Sequence, residues 1–180
     1  MLLYTISIII YPCGVWYHVY LITIEVSPSM IKGIVALTSD RVIWVGNMLP
    51  RHIPADLRHF KQLTQGHAVV MWYRTYQSIG RLLPGRTNII LTRQNIDIPG
   101  AIIYHDFAGL VDYMDTLPEV RVIWGAQIYT LCLPLIQELH ITLVHQQIMW
   151  DTYFPPYQDQ FRLVQSEWYD WYDFLLYHRT

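Results

Sequence analysis

The sequence predicts an α/β chain with a three-layer fold: a mainly parallel central sheet, an antiparallel C-terminal strand and helices on both faces. Three observations carry this. From Met30 onward, short apolar runs alternate with amphipathic stretches, the pattern of strands joined by helical crossovers. Strands joined in that way run parallel, through right-handed connections, in a sheet covered on both sides. After Leu139, strand-like segments follow one another without a helix between them, so the last pairings are antiparallel.

The elements follow in order. Ile34-Val35-Ala36-Leu37 ends at polar Thr38-Ser39-Asp40 and reads as a buried strand. Ile53 to Lys61 reads as a helix start: Pro54 suits the first turn, Asp56 complements its positive end, and Leu57 and Phe60 recur on one face. Ala68-Val69-Val70-Met71 is a second strand, followed by a short helix from Thr75 to Ile79. Leu83-Pro84-Gly85-Arg86 is a turn by its Pro-Gly pair. Asn88 to Leu91 and Ala101 to Tyr104 are the third and fourth strands. Phe107 to Leu117 is a helix with Leu110, Val111 and Met114 as its apolar stripe. Val120 to Ile123 is the fifth strand, and Ala126 to Leu133 the helix after it. Leu139 to Val144 and Phe174 to Tyr177 close the sheet. No repeat or linker interrupts the pattern, so residues 30–180 read as one domain.

Residues 1–29 differ from the rest. They contain no Lys or Arg, and Glu25 is their only acid. A secretory signal needs a positive start, which is missing. A membrane-spanning helix needs about 20 consecutive apolar residues, whereas Pro12, Gly14 and His18 interrupt this run. Three readings stand: a membrane anchor, an added strand pair, or sequence upstream of a true start at Met30. The third is favoured, because a self-contained domain pattern begins there.

The chain has 180 residues, 53% apolar and 14% charged, with a net charge of −2. This excludes a disordered chain and leaves no electrostatic footprint for nucleic acid. Cys13 and Cys132 cannot make a disulfide framework or a zinc site on their own. No glycine-rich dinucleotide fingerprint, phosphate-loop motif or H-E-x-x-H occurs. His140 and His145 lie five apart on one strand and point to opposite faces, so no metal site is expected.

A set of motifs in a fixed order remains. Asp-Arg-Val-Ile (40–43) precedes Gly-Asn-Met-Leu-Pro (46–50), Ile-Pro-Ala-Asp-Leu-Arg-His-Phe-Lys (53–61) and Thr-Tyr-Gln-Ser-Ile-Gly-Arg (75–81). Leu-Pro-Gly-Arg-Thr-Asn-Ile-Ile-Leu-Thr-Arg (83–93), Val-Ile-Trp-Gly-Ala-Gln-Ile-Tyr (122–129) and Asp-Thr-Tyr-Phe-Pro (151–155) follow. The chain resembles the dihydrofolate reductase family over essentially all of residues 30–180. The resemblance implies the family's three-layer fold and NADPH-dependent reduction of 7,8-dihydrofolate to 5,6,7,8-tetrahydrofolate.

Read by itself, Asp56 is a helix-start acid beside apolar neighbours. The resemblance makes it the carboxylate that pairs with the pterin and promotes protonation of its ring nitrogen. Burial among apolar groups is expected to raise its pKa. Thr142 resembles the family threonine that joins its hydrogen-bond network. Arg86 by itself is a solvated loop charge; in the family it pairs with the substrate's glutamate carboxylate, and Arg81 would lie near the same tail. Ile34, Leu57, Phe60 and Ile79 would be the apolar walls for the substrate rings, or ordinary core.

For the cofactor, Arg74-Thr75 and Gly125-Ala126-Gln127-Ile128 sit where strands turn into helices, and free N–H groups there favour phosphate. Arg93, after Thr92, would meet the 2′-phosphate, hence NADPH. Asn47 and Leu49 would belong to a mobile loop closing over the nicotinamide. Ala36 would offer backbone groups to the carboxamide, Ile43 and Ile123 would border the cofactor, and Tyr129 would stand near the transferred hydride.

The chain departs from the family at Trp44, Trp72, Trp124 and Trp150, where the family has glycine. At 72 the family's glycine lets backbone approach the cofactor phosphates; at 124 it is half of a Gly-Gly pair joined by a cis peptide. A single cause would account for all four: UGA encodes glycine in the source and is translated here as tryptophan, a reading that extends to Trp171. UGG codons at the four positions would refute it. The rival reading is real substitution in a decayed or repurposed protein. Arg51, where the family has tryptophan, is a separate departure.

The expected protein is a monomeric, cytosolic reductase with dihydrofolate and NADPH as partners and without nucleic-acid or membrane partners. The alternatives are a pteridine or pyrimidine reductase of similar fold, a catalytically impaired binding protein, or a membrane-tethered one.

Overall fold

A computed structural model describes residues 2–7, 21–26, 29–43, 53–147 and 152–180. Its elements are β1 (Leu2–Ser7), β2 (Leu21–Val26), β3 (Met30–Thr38), α1 (Pro54–Thr64), β4 (Ala68–Trp72), α2 (Tyr73–Ile79), β5 (Thr87–Leu91) and β6 (Ala101–Tyr104). Next come α3 (Phe107–Met114), β7 (Glu119–Ile123), α4 (Ala126–Cys132), a 3-10 turn over Leu133–Leu135, β8 (Glu138–Val144), β9 (Phe161–Trp168) and β10 (Tyr172–Arg179).

β1 and β2 pair antiparallel in a two-stranded sheet of their own. The other strands form one sheet in the order β6-β5-β4-β7-β3-β8-β10-β9. Every pairing from β6 to β8 is parallel, and β10 runs antiparallel to both β8 and β9. The mainly parallel sheet and its antiparallel C-terminal strand, β10, are as expected; β9, at the edge beyond it, was not. No described helix is long and apolar enough to cross a membrane.

Alternation along the strands makes the three layers. On β4, Val69 and Met71 join a core cluster with Ile34, Ile90 and Ile123, covered by Phe60 of α1 and by Tyr76 and Ile79 of α2. Val70 points the other way, into a larger cluster with Val35, Ile89 and Val122, covered by Leu110 and Met114 of α3 and Ile128 of α4. Successive strand residues face opposite sides, so the buried strands need apolar residues throughout.

Local chemistry sets the helix ends. α1 starts at Pro54, after extended Ile53, with Asp56 in its first turn. Asp106 caps α3 by accepting a 2.8 Å hydrogen bond from the Gly109 amide. α2 begins at Tyr73, two residues before the expected start. α3 stops at Met114, short of Leu117, and α4 gives way to the 3-10 turn at Leu133.

Candidate active site

The clefts lie around the C-terminal ends of parallel strands, the usual place for ligands in an open α/β sheet. The first lies between α1 and the sheet. One wall is a stripe of α1: Asp56, His59, Phe60 and Leu63. These residues recur at i, i+3, i+4 and i+7, so they share one helix face. The other side is formed by Ile34 and Ala36 of β3, His140 and Thr142 of β8, and Trp124 just beyond β7.

Asp56 is the chemical centre of this cleft. The buried Thr142 hydroxyl donates a 2.6 Å hydrogen bond to its Oδ1. Burial pushes the carboxyl pKa upward; the Thr142 hydrogen bond and the nearby His59 pull it part of the way back. The direction matches the expectation from sequence. A carboxyl held so, with one oxygen committed to Thr142, can pair with an amidine-like N–H edge and exchange a proton with it. His59 is pushed down by its own burial, against the attraction of Asp56 and Glu167, and its ring stacks on Phe174 at 4.0 Å.

The second cleft is bordered by Val35, Ala36, Ile43, Trp124, Gly125 and Tyr129. Tyr129 is fully buried. Its hydroxyl donates to the Ile34 carbonyl at 2.5 Å and accepts from the Trp124 amide at 2.7 Å. Burial drives its pKa far upward, so it stays a neutral phenol that ties β3 to the turn after β7. Gly125 has φ +120, and a Cβ there would stand 3.2 Å from Thr75 Oγ1, so only glycine fits. Thr75 Oγ1 in turn donates to the Trp124 carbonyl at 2.8 Å.

Arg86 lies at the other end of α1. Its Nε and Nη2 donate to Thr64 Oγ1 at 3.0 and 2.9 Å, and Nη1 donates to the Pro84 carbonyl at 2.9 Å. Three of the five guanidinium N–H groups are thereby engaged, and each terminal nitrogen keeps one for an external oxygen. Burial lowers its pKa. From Asp56 to Thr64 the helix rises about 12 Å at 1.5 Å per residue. The acid and the guanidinium thus mark the two ends of one helix-long track.

The residues expected at the site divide into three groups. Ile34, Ala36, Asp56, Phe60 and Thr142 come together in the first cleft, and Ala36, Ile43, Gly125 and Tyr129 in the second. Other residues lie outside both. Ile79 packs on the core beside α1, while Ile123 and Ile128 are fully buried. Thr92 is buried, its hydroxyl accepting from the Gln94 amide at 3.1 Å. Arg74, Arg81, Arg93 and Gln127 are exposed, and Ala126 is half-buried. Asn47 and Leu49 lie outside the described residues, as do Trp44, Arg51 and Trp150.

Leu57 is 39% exposed and lines neither cleft. It sits about 100° around the helix from Asp56, off the stripe that faces the sheet. The Trp124–Gly125 bond is also not cis, since no cis peptide occurs among the described residues. Four cleft residues were missed: Val35, His59, Leu63 and His140. His59 was legible as the i+3 neighbour of Asp56, and His140 as the i−2 neighbour of Thr142, on the same face of β8.

A family model described as Dihydrofolate reductase matches residues 30–175. The chain belongs to the dihydrofolate reductase family. It is 36% identical over 160 residues to the dihydrofolate reductase of Bacillus subtilis, covering 83% of this chain and 95% of the relative. With the Haemophilus influenzae dihydrofolate reductase it shares 37% identity over 138 residues, covering 77% and 81%. Among solved structures, dihydrofolate reductase from Enterococcus faecalis complexed with NADP(H) and RAB-propyl superposes with a TM-score of 0.77 at 27% identity. That match covers 84% of this chain and 96% of the other.

Proposed function

We propose that this chain reduces 7,8-dihydrofolate to 5,6,7,8-tetrahydrofolate, with NADPH as the hydride source. The observation that carries the reading is the half-buried Asp56 carboxyl, held by Thr142 at one end of α1 while Arg86 keeps two free N–H groups at the other. A folate has this layout: an amidine-like heterocycle, an aromatic spacer and an acidic tail. Asp56 holds the heterocycle by its N–H edge and favours the protonated ring, which makes the adjacent carbon a better hydride acceptor. Ile34 and Phe60 flank the ring and exclude water. Arg86 receives the tail carboxylate with two parallel hydrogen bonds. Leu57 and Arg81, both exposed, contact only the outer part of the substrate.

The substrate side fits the residues present. The cofactor side does not fit fully. The turn through Gly125 and the start of α4 present backbone N–H groups, and Thr75 and Arg74 stand at the start of α2, as a dinucleotide would need. Thr92 and Arg93 end the β5 side of the same sheet edge. Trp124, however, borders both clefts.

The experiment is NADPH oxidation with dihydrofolate, using protein with glycine at 44, 72, 124 and 150. Turnover that depends on both compounds is expected. Turnover of an unconjugated pterin or a pyrimidine, with none of dihydrofolate, would contradict the reading. A monomeric state and a cytoplasmic location belong to the same proposal; sedimentation of the purified chain and fractionation of the source cells test them.

A further inference from the structure

Among the described residues, only Arg41 and Trp124 combine a side chain with positive φ, at 64° and 40°. That region favours glycine, because a Cβ crowds the following carbonyl. At Trp124 the conformation is fixed from both sides. Its amide donates to the Tyr129 hydroxyl from α4, and its carbonyl accepts from the Thr75 hydroxyl of α2. Neither bond uses the side chain, so the backbone holds this shape whatever residue stands there. Gly125 follows at φ +120.

The indole goes where that backbone sends it. It stacks on Phe60 with ring centroids 4.5 Å apart and planes within 15°. It borders the cleft of Asp56 and Thr142 on one side and the cleft of Ile43, Gly125 and Tyr129 on the other. Val35 and Ala36 form the common floor of both. The indole therefore stands as a partition across a floor that is otherwise continuous. Hydride transfer needs donor and acceptor carbons within about 3–3.5 Å of each other, which a partition between their binding places prevents.

We propose that the residue at position 124 decides whether the two clefts communicate, and that the working site carries glycine there. This rests on the dihydrofolate reductase reading. With glycine, Phe60 regains an open face for a substrate ring, the two clefts merge, and the Tyr129 and Thr75 hydrogen bonds hold an unstrained turn.

The test compares the full chain with Trp124→Gly and Trp124→Ala, each also in a Trp72→Gly background. NADPH binding is measured by calorimetry, dihydrofolate reduction by NADPH oxidation, and folding by thermal denaturation. Trp124→Gly is expected to tighten NADPH at least tenfold and to raise turnover. Trp124→Ala should tighten it less, since alanine keeps a Cβ at positive φ. If Trp124→Gly does not fold, Trp124→Ala decides by the same criterion. Unchanged or weaker NADPH binding in folded variants of both backgrounds overturns the partition, and so does reduction by the unaltered chain at the rate of Trp124→Gly. Tightened NADPH without dihydrofolate reduction supports the partition and overturns the substrate reading instead.

Discussion

The Thr142 hydroxyl meets Asp56 Oδ1 at 2.6 Å, joining β8 to the first turn of α1 across 86 residues of sequence. An O–H donor stabilises the charged carboxylate more than the neutral acid. Removing it therefore raises the Asp56 pKa further above the ordinary carboxylate value, in the same direction as burial. In Thr142→Val, the pH at which the falling limb of activity reaches half moves upward by about one pH unit, worth roughly 1.4 kcal/mol. A pH–rate profile checks this; an unmoved or lowered midpoint contradicts it.

Arg86→Met is expected to raise the KM for dihydrofolate by about 10- to 100-fold, the loss of charge-assisted hydrogen bonds worth roughly 1.5–3 kcal/mol. A dihydropterin lacking the glutamate tail should show no such change. Arg86→Lys restores only part of the difference, because an ammonium lacks the planar fork. Equal losses for the tailed and tailless substrates would show that Arg86 acts only through Thr64 and the Pro84 turn.

Below the first cleft, Lys32 bridges Glu119 and Glu138 at 2.8 Å each, and Arg121 reaches Glu119 at 2.9 Å. Partial burial alone would raise the Glu119 pKa, but the hydrogen bonds and charges of Arg121 and Lys32 outweigh it and hold the carboxyl at about 2. A depressed acid contributes stability that is full above its unfolded pKa and lost as pH falls through the folded one. Glu119→Gln is therefore expected to cost about 1–3 kcal/mol at neutral pH and much less near pH 2. Denaturation at both pH values measures the difference; a constant difference contradicts the pairing.

Met30 opens β3, its amide donating to the Pro118 carbonyl at 3.1 Å, and β3 is the strand held between β7 and β8. The reductase domain is therefore proposed to be residues 30–180. A chain starting at Met30 should keep its thermal midpoint within about 4 °C, the change that about 1 kcal/mol makes at this size. Loss of cooperative unfolding would assign residues 1–29 a structural part.

The sequence made the parallel strands and their crossovers plain, because strands buried on both faces are nearly continuous apolar runs. β9 escaped notice for the opposite reason: it is an edge strand whose residues from Arg162 to Trp168 are mostly exposed, so no apolar run marks it. Asp56 and Thr142 came from motif resemblance, since no local pattern announces a contact 86 residues apart. Leu57 and Phe60 read as one face at i+3, whereas the stripe that faces the sheet runs through Asp56, Phe60 and Leu63. The tryptophans stood out as departures in the sequence, but the left-handed backbone at Trp124 and its place between two clefts are three-dimensional facts. The coding DNA decides whether a glycine codon underlies them.

The most direct measurement is steady-state reduction of dihydrofolate by Asp56→Asn beside its parent, both carrying Trp124→Gly, with NADPH affinity measured in parallel. Asparagine keeps the size of the side chain but cannot hold the charge that favours a protonated heterocycle. The account predicts a fall in kcat/KM at neutral pH of about 100-fold or more, as for loss of an acid–base group, with NADPH affinity within about threefold of the parent. A variant as active as its parent would contradict the assignment of the chemistry to this carboxylate.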